Sequence, residues 1–237
     1  MKVANDIIFE IIATKDGIVD LTGKNTWLPC NTIPLVSQDK TIISQYSIYI
    51  PKDQPGYGLM VQTNDERMLL TPTDRWTFSA WIMPLNANGR FGYATLFNGN
   101  RARRYQRLSV FYENDPNRNI YYSHQSSTVY EHSEKPLPAY EIMDGNWHHV
   151  AFTHDDNSMI YTFYDGELIK TEQETEDIDW RQMRVLVEGN GDNNSWSTGY
   201  YDDITFIKGR TLWTEDFEPP TYLIGKPSSV ILNNMKC

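Results

Sequence analysis

The chain has 237 residues, 40% of them apolar and 13% aromatic, and 21 basic against 31 acidic residues leave a formal charge of −10. That length suits one large β domain or two small ones, and the apolar fraction excludes wholesale disorder. The acidic balance excludes sequence-independent DNA binding, which runs on cationic surface, and two cysteines, Cys30 and Cys237, exclude a disulfide framework or a cysteine-rich zinc site.

At the N-terminus, Lys2 is followed by Val3-Ala4-Asn5-Asp6, and Glu10 interrupts the apolar stretch 7–13. This is not the pattern of a secretory signal, and no run nears the roughly 18 apolar residues of a membrane helix. The expectation is a product made in a cytoplasm, with no membrane insertion and no classical export. Periodicity of two then predicts short strands over 7–12, 47–50, 58–62 and 68–70. In 76–83, Trp76, Phe78, Ala80 and Ile82 share one face, while Thr77, Ser79, Trp81 and Met83 share the other. Both faces are partly apolar, which suits a strand covered on both sides, and Pro84 stops it.

Further strands are predicted over 92–97, 106–112, 119–124, 147–154, 160–164, 167–171, 183–188 and 200–207. Between 164 and 167, Asp165-Gly166 reads as a tight hairpin turn, because Asp-Gly pairs tolerate positive φ. Six of the 14 glycines follow Asn or Asp in this way: Gly17, Gly89, Gly99, Gly145, Gly166 and Gly191. Residues 211–217 are predicted to form one helical turn before Pro219-Pro220, and residues 226–237 a polar tail. About a dozen short strands with frequent turns indicate an all-β, two-sheet antiparallel sandwich occupying 1–225.

The order of segments resembles the laminin-G-like, concanavalin A-like lectin/glucanase jelly-roll family. Arg75-Trp-Thr-Phe-Ser-Ala-Trp-Ile-Met-Pro84 is similar to its central strand, and Asp144-Gly-Asn-Trp-His-His-Val-Ala-Phe-Thr-His154 to its W-H-H-V-A strand. Tyr161-Thr-Phe-Tyr-Asp-Gly-Glu-Leu168 resembles the hairpin that follows. The stretch 199–207, then Leu212-Trp213 and Phe217-Glu-Pro-Pro220, resembles the closing strand and proline exit, and 20–27 the D-x-x-G-x-N opening. The resemblance spans roughly 6–225 and implies a jelly roll; independently, the weight of large aromatics in such packing places Trp81 and Trp147 in the inter-sheet core. It also implies the activities such folds carry: lectins, adhesion modules, glucanases and accessory domains of bacteriophage virion proteins.

The glucanase signature is E-x-D-x-E or E-x-D-x-x-E, since alternate strand residues face one cleft and hydrolysis needs paired carboxylates. Here the one E-x-D, Glu113-Asn-Asp115, is followed by Pro116, Asn117 and Arg118, so that chemistry fails. Glu172, Glu174 and Glu176 alternate, but with Asp177 and Asp179 they read as a solvated loop. His148 and His149 point to opposite faces, and His148 and His154 lie roughly 20 Å apart along a strand, so a structural role is expected for them.

No cofactor is required. A structural calcium would need acidic loops, for which Asp155 and Asp156 form one candidate and Asp192, near Asp202 in sequence, another; turn formation alone also accounts for them. Candidate ligand contacts are the aromatics Tyr121, Tyr122, Tyr130 and Trp196 and the basic loop Arg101, Arg103, Arg104. The expected function is non-enzymatic binding and assembly, as a bacteriophage virion decoration, fibre or tail component. Its partners would be other virion proteins and host-surface glycans, with no nucleic acid; a homo-oligomer is compatible. The competing readings are a soluble calcium-assisted lectin and a divergent polysaccharide-cleaving enzyme.

Overall fold

The computed structural model describes residues 6–29, 32–51, 57–61, 65–85, 92–98, 107–112, 120–123, 144–175, 177–181, 183–186 and 198–224. Its strands are β1 (Ile7–Thr14), β2 (Gly17–Asp20), β3 (Trp27–Pro29), β4 (Leu35–Ser37), β5 (Ser47–Ile50), β6 (Leu59–Val61), β7 (Leu69–Leu70) and β8 (Trp76–Pro84). They continue as β9 (Gly92–Asn98), β10 (Arg107–Tyr112), β11 (Ile120–Ser123), β12 (His148–His154), β13 (Met159–Tyr164), β14 (Glu167–Gln173), β15 (Ile178–Asp179), β16 (Arg184–Val185) and β17 (Gly199–Lys208). A 3-10 turn, Glu66–Met68, precedes β7.

One sheet runs β14-β13-β12-β8-β17-β1-β2, with β5 paired to β17 and β4 paired to β5; the other runs β11-β10-β9-β16-β6-β3. Every strand pair in both is antiparallel. The all-β antiparallel sandwich expected from the alternation is therefore the architecture. The short strands β2, β3, β4 and β15 were not expected.

β8 shows why alternation works here. Trp76, Phe78, Ala80 and Ile82 are fully buried in the core with Val150, Phe152, Ile204 and Phe206 beside them. Trp180 reaches into this layer, 5.4 Å from Trp76 and 5.1 Å from Phe206, both edge-on. Phe9 meets Trp27 at 5.3 Å. Such edge-to-face pairs suit the ring quadrupoles and supply much of the burial.

The opening D-x-x-G-x-N stretch has a physical reason. The Asp20 carboxylate accepts from Glu10 N, Thr22 N, Thr22 Oγ, Asn25 Nδ2 and Trp27 Nε1. One side chain thus ties β1, the turn after β2 and the entry to β3.

The other face of the large sheet is covered by the segment 209–224, which forms a strap. Here two expectations are corrected. Residues 211–217 make no helical turn, because their backbone groups bond to the sheet instead of to one another. Thr77 Oγ donates to Arg210 O and accepts from Leu212 N, and Thr153 Oγ donates to Trp213 O. Thr211 Oγ donates to His154 O, and Phe217 N donates to Gly166 O. Trp81 is likewise not in the inter-sheet core. It lies half-buried on the strap face, its Nε1 donating to Pro220 O at 3.2 Å, and Trp147 at the start of the same sheet row is also only partly buried. The even positions of β8 already fill the core, and parity sends residue 81 the other way.

The acidic run at 172–179 is corrected too. β14 stays paired with β13 as far as Gln173, Glu172 bonds Lys170 at 2.7 Å, and Glu174 is buried with its N–H donating to Ser158 O. Glu172 thus ends a strand and Glu174 is buried just past it, so neither stands in a solvated loop, while Asp177 is exposed and Glu176 lies outside the described residues.

Candidate binding site

His148 and His149 open β12, and alternation sends them to opposite faces as expected. His148 lies at the core-side rim. Its Nδ1 is 2.7 Å from Asp165 Oδ2 and its Nε2 is 3.1 Å from Asp144 Oδ1, and the ring stacks on Tyr164 at 4.9 Å. Burial works against the charged ring, but the bonds to Asp165 and Asp144 outweigh it and hold the pKa above its ordinary 6.5. With a carboxylate at each nitrogen, the imidazolium clamps the loop before β12 to the β13–β14 turn. Asp165 also accepts from His149 N, at 2.8 Å.

The sign of the pH dependence follows from the raised pKa. The clamp's contribution is present in full below about pH 6.5 and fades as pH rises through the folded-state value. His148→Phe keeps a ring against Tyr164 and removes both bonds. It should lose about 1–2 kcal/mol of stability at pH 6, with the deficit narrowing by pH 9, in urea melts at each pH. An equal deficit at both values would show that the clamp carries no charge.

His149 belongs to the strap face and is fully buried. Its Nε2 is 2.8 Å from Ser79 Oγ, and Trp81, Trp213 and Phe217 surround the ring edge-on. Burial pushes its pKa down to about 3, so it is neutral at physiological pH. His154 stacks on Trp76 at 5.5 Å and its Nδ1 bonds Asp74 O at 2.7 Å. All three histidines are thus held by structural partners.

The acidic candidates occupy two separate places. Asp155 and Asp156 follow the end of β12, whereas Asp202 registers with Trp81 and through it with His149. At ~3.4 Å per residue this puts them about 20 Å apart. Asp155 accepts from Asn157 N, Asn157 Nδ2, Met159 N and Tyr161 Oη. Asp202 accepts from Ile43 N, Ser44 N, Ser44 Oγ and Asp203 N, which fastens the loop after β4. Four donors match the acceptor capacity of each carboxylate, so the described oxygens are poor free ligands for calcium. Asp156 pairs with Arg75. Among the described residues, no three His, Cys, Asp or Glu side chains come together to hold a metal ion.

Of the candidate ligand contacts, Tyr121 and Tyr122 are consecutive positions of β11, registered with Ser109 and Leu108. Trp196, Tyr130, Arg101, Arg103, Arg104 and Asp192 lie outside the described residues.

Sequence reasoning missed a buried acidic pair. Asp203 sits at the irregularity between Asp202 and Thr205 in β17, with φ 44° and 1% exposure, and Glu10 on β1 is 2% exposed. Asp203 Oδ1 accepts from Thr205 Oγ at 2.8 Å. Burial, and then the Glu10 charge, raise the Asp203 pKa well above the usual carboxylate range. The signal available beforehand was Glu10 breaking an apolar stretch.

Two antiparallel sheets with interleaved aromatic layers, and a closing strand followed by a proline-terminated strap, define a jelly-roll sandwich. The chain belongs to the concanavalin A-like lectin/glucanases superfamily, whose Laminin_G_3 family model matches residues 55–214. A comparison with curated proteins finds no significant match. Among solved structures, the binding domain of Paraclostridial Mosquitocidal Protein 1 is similar, with TM-score 0.57 and 18% identity over 90% of this chain and 51% of that one. The receptor binding domain of botulinum neurotoxin D gives TM-score 0.60 and 13% identity over 90% and 51%. The botulinum neurotoxin serotype D ligand binding domain in complex with N-acetylneuraminic acid gives 0.52 and 14% over 89% and 49%. The chain spans about half the length of these structures, and at such identities the likeness is one of fold.

Proposed function

We propose that the chain is a non-catalytic binding module that recognises surface glycans. The observation that carries this is the jelly roll shared with a toxin receptor binding domain and with a toxin ligand binding domain in complex with N-acetylneuraminic acid. The burial of His148, His149 and His154, each against structural partners, supports a non-catalytic role, since a general acid or base must reach the substrate it protonates or deprotonates. Binding would use the aromatic candidates Trp196, Tyr121, Tyr122 and Tyr130, whose faces stack on sugar rings, with Arg101, Arg103 and Arg104 suited to acidic sugars.

The finer reading is a bacteriophage virion component, a decoration, fibre or tail protein that places this module on a particle surface. It rests on the resemblance of the Leu212–Pro220 ending to phage structural proteins. Mass spectrometry of purified particles tests it: recovery in the particle supports it, and recovery only as free protein overturns it.

Glycan-array binding by the purified chain tests the module itself. Saturable binding to a defined glycan is expected, weakened about tenfold or more in Trp196→Ala, the worth of one lost stacking contact. Repeating the assay with calcium and with chelator separates a calcium-assisted lectin from a metal-independent one. Release of new reducing ends from a polysaccharide would overturn the non-catalytic reading.

A further inference from the structure

Six large apolar side chains are exposed among the described residues: Leu28, Ile33, Leu35, Val36, Ile42 and Tyr222. The first five fall within one stretch of fifteen positions, 28–42. From Asn25 to Gln38 the sequence carries no charged residue, in a chain whose net charge is −10. Leu35 and Val36 belong to β4. That strand registers with β5 on one side, and among the described residues no strand pairs with its other side.

Leu35 is opposite Tyr49 and Val36 opposite Ile48, so they take opposite faces of the sheet. Yet Leu35 is 45% exposed and Val36 is 36% exposed. An edge strand with apolar side chains open on both faces, and a row of backbone groups on its unpaired side, is a template for another strand. Proteins usually guard such an edge with lysine or an inward charge; here the nearest charges, Lys24 and Asp39, lie outside the uncharged stretch.

We propose that the exposed edge of β4 forms a self-association surface, on which a second copy of the chain adds its own β4 antiparallel across a two-fold axis. Charge decides the occupant. A partner that binds through charge finds no complement in 25–38. Two copies at −10 each repel over most of their surfaces, and a neutral apolar edge is where that repulsion is weakest and apolar burial largest. A two-fold contact needs only that the patch match itself. β4 is three residues long, so the main-chain bonds are few and the dimer is weak.

Sedimentation equilibrium of the full chain between about 1 and 200 μM tests the proposal. The weight-average mass should rise with concentration from 27.6 kDa towards twice that value. Raising salt from about 0.05 to 0.5 M should favour the dimer by screening the net charge. Leu35→Lys and Val36→Lys should stay monomeric throughout. Both sites are exposed, so their melting temperatures should match wild type. Thr171→Lys, at an exposed position on β14 at the sheet's opposite edge, should dimerise like wild type. A wild-type chain at monomer mass over the whole range overturns the proposal. So does association that both β4 lysine variants leave intact, or that Thr171→Lys abolishes equally.

Discussion

Replacing Gly166 with alanine should unfasten the strap and lower the melting temperature by roughly 10 °C, at ~2–4 °C per kcal/mol for a chain of this size. An alanine Cβ at that position would lie 1.9 Å from Phe217 O and 3.1 Å from Pro219 Cδ, and the backbone φ is +83°. The first contact is with main chain and has no rotamer through which to yield. Relief therefore means moving the strap, which breaks the 2.9 Å bond from Phe217 N to Gly166 O. It also pulls the stacked Trp213 and Phe217 rings, 4.0 Å apart, off His149. Left-handed strain of about 1 kcal/mol, a lost hydrogen bond of about 1 kcal/mol and lost aromatic packing sum to roughly 3–4 kcal/mol. Gly145→Ala is the matched control: its φ is +82° and nothing lies within 4 Å. It should cost only the strain. Thermal melts of both variants, followed by circular dichroism, decide the matter; equal losses would show that the strap contact contributes nothing.

Asp203→Asn should stabilise the protein increasingly as pH rises. Asp203 keeps its proton in the folded chain at pH values where the unfolded chain has released it, because its folded pKa lies above the ordinary value. The folded state therefore binds more protons than the unfolded one over that window. Wild-type stability falls as pH climbs from about 4 towards the folded pKa, through this group. Asparagine has no proton to lose there. It keeps an acceptor for Thr205 Oγ, and it tolerates the positive φ of 44° better than most residues. Urea midpoints for the two proteins should lie closest near pH 4 and diverge in favour of the variant by pH 8. A gap that is constant with pH, or that shrinks, would mean that Asp203 is ionised in the fold.

Alternation made the long strands readable in advance. β8, β12, the β13–β14 hairpin and β17 each carry a side-chain pattern of period two that one buried and one covered face require. β2, β3, β4 and β15 are two to four residues long, too short for a period to show, and they form because longer neighbours offer an edge. The strap reads as a helical turn from sequence because 211–217 is locally permissive. What decides its conformation is a set of threonine hydroxyls and carbonyls on strands distant in sequence. Trp81 departs from expectation for a related reason: aromatic size suggests a core, while parity on β8 assigns the core to its neighbours. At the site, Asp155 and Asp202 were legible as turn-forming acids. The His148 clamp was not, since Asp144 and Asp165 meet that ring only once β12 and β13 are in register.

β17 pairs with β8, β1 and β5, so it stands inside the large sheet although it is the last of the described strands. During synthesis β1 leaves the ribosome well before β17 and must wait, its apolar residues uncovered, until residues 199–208 follow and Ile11 can meet Ile204. Loop closure over most of the chain precedes that pairing, which makes folding slow and leaves the early segments open to chaperones and to misassembly while they wait.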